Sequence, residues 1–500
     1  MTNHNDFKNY FFSAHKESIE TYKVGVNKIV EKIIAQLQTQ PQPYSGKSPL
    51  ELLQDSKEIN FFPLEGSSLE SVIERTNAMV VEHNVATYHP LCTAHLHCPV
   101  FIGSLVAEIV ISAFNQSMDS WDQAPAASMI EQEFCNQLCK LYGFGEQADA
   151  IFTSGGTMSN FMGILLARDA YSEKAYNWNI QKSGMPPEYK SFRIICAEHA
   201  HFSIEQSASI LGLGSDAVIR IGGKSFEEEA SLLEDKIIEL KSQGLIPIAY
   251  VSTTGTTDYG SYGNIEDLAV CTQKHDIWLH IDAAYGGALI FSEQHKFKLK
   301  GIEHADSVTV DFHKLFFQPI SCGAFIVKNK SAFEYIRLHA DYLNPESNED
   351  LGILDLVYKS IQTTRRFDAL KPFIALQHVG IKKMGEMIDY TIGLAKSISL
   401  IIENDPRLEL ATKPQMNSVV FRFVPEENIS EERIDEINDA IKTKLLLSGK
   451  AIIGQTRLND KAYLKFTLLN PMTEEIIITD LLDEIKLMGH QMMQSTLETA

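Results

Sequence analysis

No stretch of this 500-residue chain approaches the run of roughly 20 apolar residues that a membrane-spanning helix needs, and its start, MTNHNDFKNYFF, lacks the basic segment and apolar core of a secretory signal. Cytoplasmic placement and no membrane partner are the expectations. Positive charge is scarce: 44 Lys and Arg stand against 65 Asp and Glu, for a formal net charge of -21. The acidic residues are spread along the chain, which speaks against a nucleic-acid partner. Internal repeats and low-complexity segments are absent, and 44% hydrophobic content suits one large domain with smaller ones beside it. The seven cysteines, without a secretory signal, are expected as reduced thiols. Cys135 and Cys139, four apart on one helix face, are expected in the core. HPLCTAHLHCP crowds His89, Cys92, His95, His97 and Cys98 together but lacks the second ligand pair of a tetrahedral site, so no metal is expected. The donors of that loop, His89 and His95, are expected to face a substrate instead.

What the chain does have is a pair of ionisable residues, each closing an apolar run of strand length: Asp282 in WLHIDAAYGGAL and Lys314 in ADSVTVDFHKLFFQPISCGAF. Such runs read as strands buried on both faces that end at a functional loop. A buried carboxylate and a buried amine are both costly unless paired or used. The use that fits both is pyridoxal phosphate, with the lysine closing a Schiff base on the aldehyde and the aspartate paired with the protonated ring nitrogen. A D-A-A turn or a His-Lys pair alone is an ordinary strand end; two preceding stretches tip the balance. In ADAIFTSGGTMSNFMGILLARDAY a short strand runs into Ser154, Gly155, Gly156 and Thr157 and then a helix, a phosphate cradle of close backbone and helix N-terminus that matches no nucleotide-binding pattern. In FRIICAEHAHFSIEQSA a strand is followed by His199 and His201, and the second, immediately before a helix, is the better candidate for an imidazole lying on a conjugated ring. Thr256 and Thr257 follow the strand IPIAYVST, where hydroxyls reach a ligand or cap the next helix.

The flanks read as supports. Residues 1–85 form a helical arm that needs a partner surface, met by a second subunit, so a homodimer with its active site near the interface is expected. Residues 86–380 form the large cofactor domain and 381–500 a small α+β domain. YLNPESNEDLG, between two expected helical stretches, has the polar, glycine-ended character of a lid, with Tyr342 as its proton-transfer residue. Arg365 and Arg366 are expected to anchor an anion or pair with the acidic surface.

Taken together, HPLCTAHLHCP, SWDQAPAASMIEQE, TSGGTMSN, AHFSIEQSA, TTGTTDYG, HIDAAYGGAL, DFHK and TTRRFDALK resemble the group II pyridoxal-phosphate-dependent amino acid decarboxylases, from about His89 to Phe373. The resemblance implies an aspartate aminotransferase-type (type I) α/β fold with a mostly parallel central sheet and flanking helices. It also implies roles: Lys314 holds the cofactor aldehyde with His313 assisting, and Asp282 holds the ring nitrogen with Ala284 on one ring face and His201 on the other. Ser154, Gly155, Gly156 and Thr157 hold the phosphate, Thr257 sits near the phenolic oxygen, and Tyr342 or His201 protonates the substrate carbon after carbon dioxide leaves. Within the family, DFHKLFFQPISCGAF and SMDSWDQAPA are most similar to the branch acting on L-2,4-diaminobutyrate, which would give 1,3-diaminopropane. Asp311-Phe312 replaces the Asn-Pro of the aromatic and glutamate branches, and an acid there would suit a cationic substrate. The rival readings are decarboxylation of lysine, an aromatic amino acid or glutamate, and a non-catalytic cofactor-binding protein on the same fold.

Overall fold

Long apolar runs ending in polar residues produce a seven-stranded sheet, because each central strand must bury both faces. The structure, a computed structural model, describes residues 4–222, 228–340, 344, 348 and 351–497. The chain divides into two compact units, one of Leu96–Ser399 and Thr412–Val420, the other of Met1–His95, Leu400–Ala411 and Phe421–Ala500.

The larger unit holds β1 (Asp149–Thr153), β2 (Phe192–Ala197), β3 (Val218–Ile221), β4 (Ile246–Thr253), β5 (Trp278–Asp282), β6 (Ser307–Asp311) and β7 (Gly323–Val327) in the order β1-β7-β6-β5-β4-β2-β3. Pairs β2–β3, β2–β4, β4–β5 and β5–β6 are parallel; β7 runs against both β6 and β1. The chain passes through α-helices from β2 to β3, β3 to β4 and β4 to β5, and through 3-10 turns from β5 to β6. The helix Gly156–Tyr176 is buried on most sides and packs against β4, β5, β6 and β7. In β1, β2, β4, β5 and β6 the last residue lies at the edge where α/β sheets carry their ligands. All seven cysteines are buried and free, Cys135 and Cys139 among them.

Two parts of the larger unit differ from the sequence reading. β3 adds an unanticipated edge strand of four residues. The segments around YLNPESNEDLG, expected as helices, are 3-10 turns, Lys330–Tyr335 and Leu356–Lys359. Tertiary polar bonds hold this chain in place of helix propensity: the buried Lys359 ammonium bonds Asp149 at 2.9 Å and Ala150 O at 3.1 Å. Arg365 likewise anchors no cavity ligand; it is ion-paired at 2.8 Å with the fully buried Glu131, while Arg366 pairs with Glu108 and Asp368.

The smaller unit pairs the helices Lys16–Thr39 and Leu69–Met79, with Lys32 and Glu74 bridging them at 2.7 Å. Beside them lies an apolar groove of ≈ 830 Å³ lined by Tyr10, Phe12, Val26, Ile29 and Val72 among others. β8 (Leu408–Leu410), β10 (Gly454–Leu458), β11 (Lys461–Thr467) and the end of β9 (Ser418–Phe423) supply a second sheet, ordered β10-β11-β9-β8. The histidine-rich loop is stitched to this unit's own C-terminal part: Ile452 N–H donates to Leu91 O at 2.9 Å and Thr467 N–H to Thr93 O at 2.7 Å. Among the described residues no helix is long and apolar enough to cross a membrane.

Candidate active site

The ends of β1, β4, β5 and β6, with the segment after β2, converge on a cavity of ≈ 300 Å³ in the larger unit. All ten residues expected at the cofactor line it: Ser154, Gly155, Gly156, Thr157, His201, Thr257, Asp282, Ala284, His313 and Lys314. Lys314 lies just beyond β6, its Nζ 3.4 Å from Asp311 Oδ2. His313 Nε2 is 3.6 Å from the same oxygen. Cys322 clasps His313, accepting from its main-chain N–H at 3.0 Å and donating its own N–H to Nδ1 at 3.1 Å.

Asp282 is 5% exposed at the end of β5. Its Oδ1 accepts from Ala284 N–H at 3.1 Å and its Oδ2 from Asn160 Nδ2 at 2.8 Å. His201 is held by Ser203, whose main-chain N–H donates to Nδ1 at 3.2 Å. Burial lowers the His201 pKa, against an upward pull from Asp282, so the neutral imidazole is favoured near pH 7.

At the other end of the cavity, Gly155 takes φ 143°, a conformation open to glycine, and the helix begins at Gly156. A Cβ on Gly156 would stand 2.9 Å from Asp311 Oδ2 and 3.3 Å from Ala284 Cβ, so only glycine fits the turn. Met158 and Ser159 N–H groups close onto Gly155 O. The N–H groups of Gly156 and Thr157, at the positive end of the helix, are left as anion donors. Buried Thr253 Oγ1 and Asp311 Oδ1, both on lining residues, have no hydrogen-bond partner among the described residues. An amine, a carboxylate, a phosphate-sized nest of N–H groups and orphaned polar atoms on one wall form a donor set that fits pyridoxal phosphate.

The two threonines of the Gly-Thr-Thr loop divide: Thr256 turns inward, its Oγ1 2.6 Å from Ser261 Oγ, while Thr257 lines the cavity. His199, the less favoured of the two histidines after β2, lines it too, its ring 5.2 Å from Tyr259. His89 and His95 belong to the smaller unit, where Leu91 N–H donates to His89 Nδ1 at 3.1 Å. Tyr342 lies outside the described residues. Sequence reasoning missed Met158, Asn160, Thr253, Gly255 and Tyr285 as lining residues, and it took Asp311 only as a substrate hint. For Asn160 the sequence offers only a polar residue about one turn after the glycines, which by itself reads as a helix cap.

Comparison with known proteins agrees with this geometry. The pyridoxal-dependent decarboxylase conserved domain matches residues 53–424. The chain is 38% identical over 478 residues to an L-2,4-diaminobutyrate decarboxylase of Acinetobacter baumannii, covering 94% of this chain and 93% of the relative. It is 34% identical to the enzyme of the same name from Rhizobium meliloti, covering 97% and 95%. Among solved structures, the glutamate decarboxylase domain of diaminobutyrate-pyruvate transaminase and L-2,4-diaminobutyrate decarboxylase from Vibrio parahaemolyticus superposes with a TM-score of 0.89 at 37% identity, covering 97% of this chain and 99% of that one.

Proposed function

The chain belongs to the pyridoxal-dependent decarboxylase family, and from that premise we propose that it releases carbon dioxide from L-2,4-diaminobutyrate to give 1,3-diaminopropane. The observation that carries the reading is the meeting of Lys314, Asp282 and the Gly155–Thr157 turn, far apart in the chain, on the wall of one cavity. The choice of substrate is supported by the near full-length likeness to two relatives of that name.

In this reading Lys314 anchors the cofactor through Nζ, Asp282 faces its ring nitrogen, and Ala284 and His201 bound the two ring faces. Ser154, Gly155, Gly156 and Thr157 hold the phosphate; Thr257 stands at the phenolic oxygen. Pyridoxal phosphate, when bound, supplies the electron sink for the pair left on the substrate carbon as carbon dioxide departs. The protein's share would be to orient the departing carboxylate and keep water out. His313, clasped by Cys322, supports Lys314; Tyr342, with His201 as the alternative, returns the proton to the substrate carbon. The exposed apolar side chains of the arm, including Phe62 at 93% and Leu64 at 97%, support a homodimer, and cytoplasmic placement remains part of the proposal.

The test is a panel of amino acids offered to the purified holoenzyme, with carbon dioxide and amine measured together. Release from 2,4-diaminobutyrate well above lysine, ornithine, glutamate and aromatic amino acids is expected. A preference for another substrate would keep the chemistry and overturn the substrate; no release from any would point to a binding protein.

A further inference from the structure

Behind the cavity wall a row of polar side chains runs to Asp282, and every donor in it points the same way. The row ends on a carboxylate, which in that state accepts only. Asn160 Nδ2 reaches Asp282 Oδ2 at 2.8 Å and Ser203 Oγ at 3.0 Å. Turning this amide over would set Oδ1 against the carboxylate, so the orientation is forced. Asn160 Oδ1 must then be fed by donors, and it meets Thr309 Oγ1 at 2.7 Å and His280 Nε2 at 3.0 Å. The acceptor Oδ1 assigns the His280 hydrogen to Nε2, which also lies 3.3 Å from Thr309 Oγ1, and Nδ1 is then the acceptor for the Ser307 hydroxyl at 2.8 Å. Ser307 Oγ in turn accepts the Trp278 indole N–H at 2.8 Å.

The imidazole has no room to adopt another arrangement. A Cβ on Gly163 would stand 2.6 Å from His280 Nδ1, so the helix backbone itself closes over the ring. His280 is 1% exposed, and burial pushes its pKa down to about 4, so one ring nitrogen stays bare at neutral pH. A side branch leaves the same amide: Asn160 donates to Ser203 Oγ, and that hydroxyl lies 2.9 Å from His201 Nδ1.

We propose that Trp278, Ser307, His280 and Asn160 are positioning residues, a one-way hydrogen-bond chain that aims Asp282 at the cofactor's ring nitrogen, with Asn160 the branch point that also sets His201. The inference rests on the cofactor reading above. The direction is set at Asn160: a His280 hydrogen on Nδ1 would leave Nε2 and Asn160 Oδ1, 3.0 Å apart, as two acceptors facing each other.

The test is the affinity of the apo-protein for pyridoxal phosphate, with the apo-protein's unfolding midpoint read alongside. Asn160→Ala, Asp282→Asn and the double variant form a cycle. Each single change is expected to weaken binding about tenfold to a hundredfold, and the double variant to lose clearly less than the two losses multiplied together, because Asn160 acts chiefly through that carboxylate and only its branch to His201 is left to lose. His280→Gln, which keeps an N–H near the Nε2 position, is expected to stay within about threefold of wild type, and His280→Asn to fall with Asn160→Ala. Additive losses in the cycle, or equal losses for Gln and Asn at equal unfolding midpoints, would overturn the inference and leave the cofactor reading standing. Should Asn160→Ala fail to fold, the His280 pair decides alone. An Asp282→Asn protein that binds the cofactor as tightly as wild type would sink the cofactor reading itself.

Discussion

Asp282 and Asp311 end neighbouring parallel strands, are 5% and 2% exposed, and line the same cavity, yet they are furnished in opposite ways. Each oxygen of Asp282 accepts an N–H from a neutral donor, Ala284 on one side and Asn160 on the other. Asp311 has Lys314 Nζ and His313 Nε2 gathered at Oδ2, at 3.4 and 3.6 Å, and Oδ1 without a hydrogen bond among the described residues. The first carboxylate is complete before any ligand arrives, so it acts as a fixed electrostatic post that does not reorganise. The second keeps one oxygen open to a further donor. Burial alone therefore does not tell a working group from a supporting one; the count of partners does.

Lys314→Ala breaks the comparison most severely, because it removes the amine proposed as the anchor, which also lies 3.4 Å from Asp311 Oδ2; turnover and the bound cofactor's visible absorbance are expected to vanish, and a persisting band would show that another amine is the anchor. The next effect lies behind Asp282. His280 has its folded-state pKa depressed from 6.5 to about 4, so the unfolded chain binds the extra proton first and stability falls as pH drops between those values. The stability present above pH 6.5 and lost on this limb is of order 3 kcal/mol. His280→Gln should flatten that limb in denaturant unfolding of the apo-protein from pH 7 to about pH 4.5; an unchanged slope would show that another group sets it. Asp282→Asn should destabilise the apo-protein by about 1–3 kcal/mol, because its new N–H2 must face the N–H of Asn160 or of Ala284. Asp311→Asn, where one oxygen has no hydrogen-bond donor to offend, should cost less than about 1 kcal/mol. Equal costs for the two isosteric changes would erase the distinction between the carboxylates.

The strands that end on Asp282 and Asp311 were legible because an apolar run closed by a polar residue is the pattern of a strand buried on both faces where it meets a working loop. So was the cradle at Gly155 and Gly156, whose backbone needs leave their mark in the residue type itself. Asn160 was not, because a polar residue in a first helical turn reads as a cap, and its partner Asp282 lies 122 residues further on. Only the sheet order brings them together. Asp311-Phe312 suggested a substrate difference, but Phe312 answers to packing: its ring stacks on Phe152 at 5.4 Å and lies 4.8 Å from Phe316. For Arg365 the sequence left an anion anchor and an acidic partner both open, and the partner, Glu131, is buried inside an otherwise ordinary helix rather than on the surface. β3 escaped notice because VIRI is short and its Arg220 folds back on Glu205 and Ala200 O.

The helix Gly156–Tyr176 begins at the glycine turn, places Asn160 about one turn in, and closes over His280 with Gly163 about one turn later. Its first two turns thus set the distance between the two ends of the site as a gauge block sets a gap. One codon gained or lost between Gly156 and Asn160 would swing everything beyond it by about 100° and advance it by about 1.5 Å. Such a frame-preserving insertion or deletion would misplace the aspartate's support without touching the aspartate, and in a screen of mutants it would read as loss of a residue that is still there.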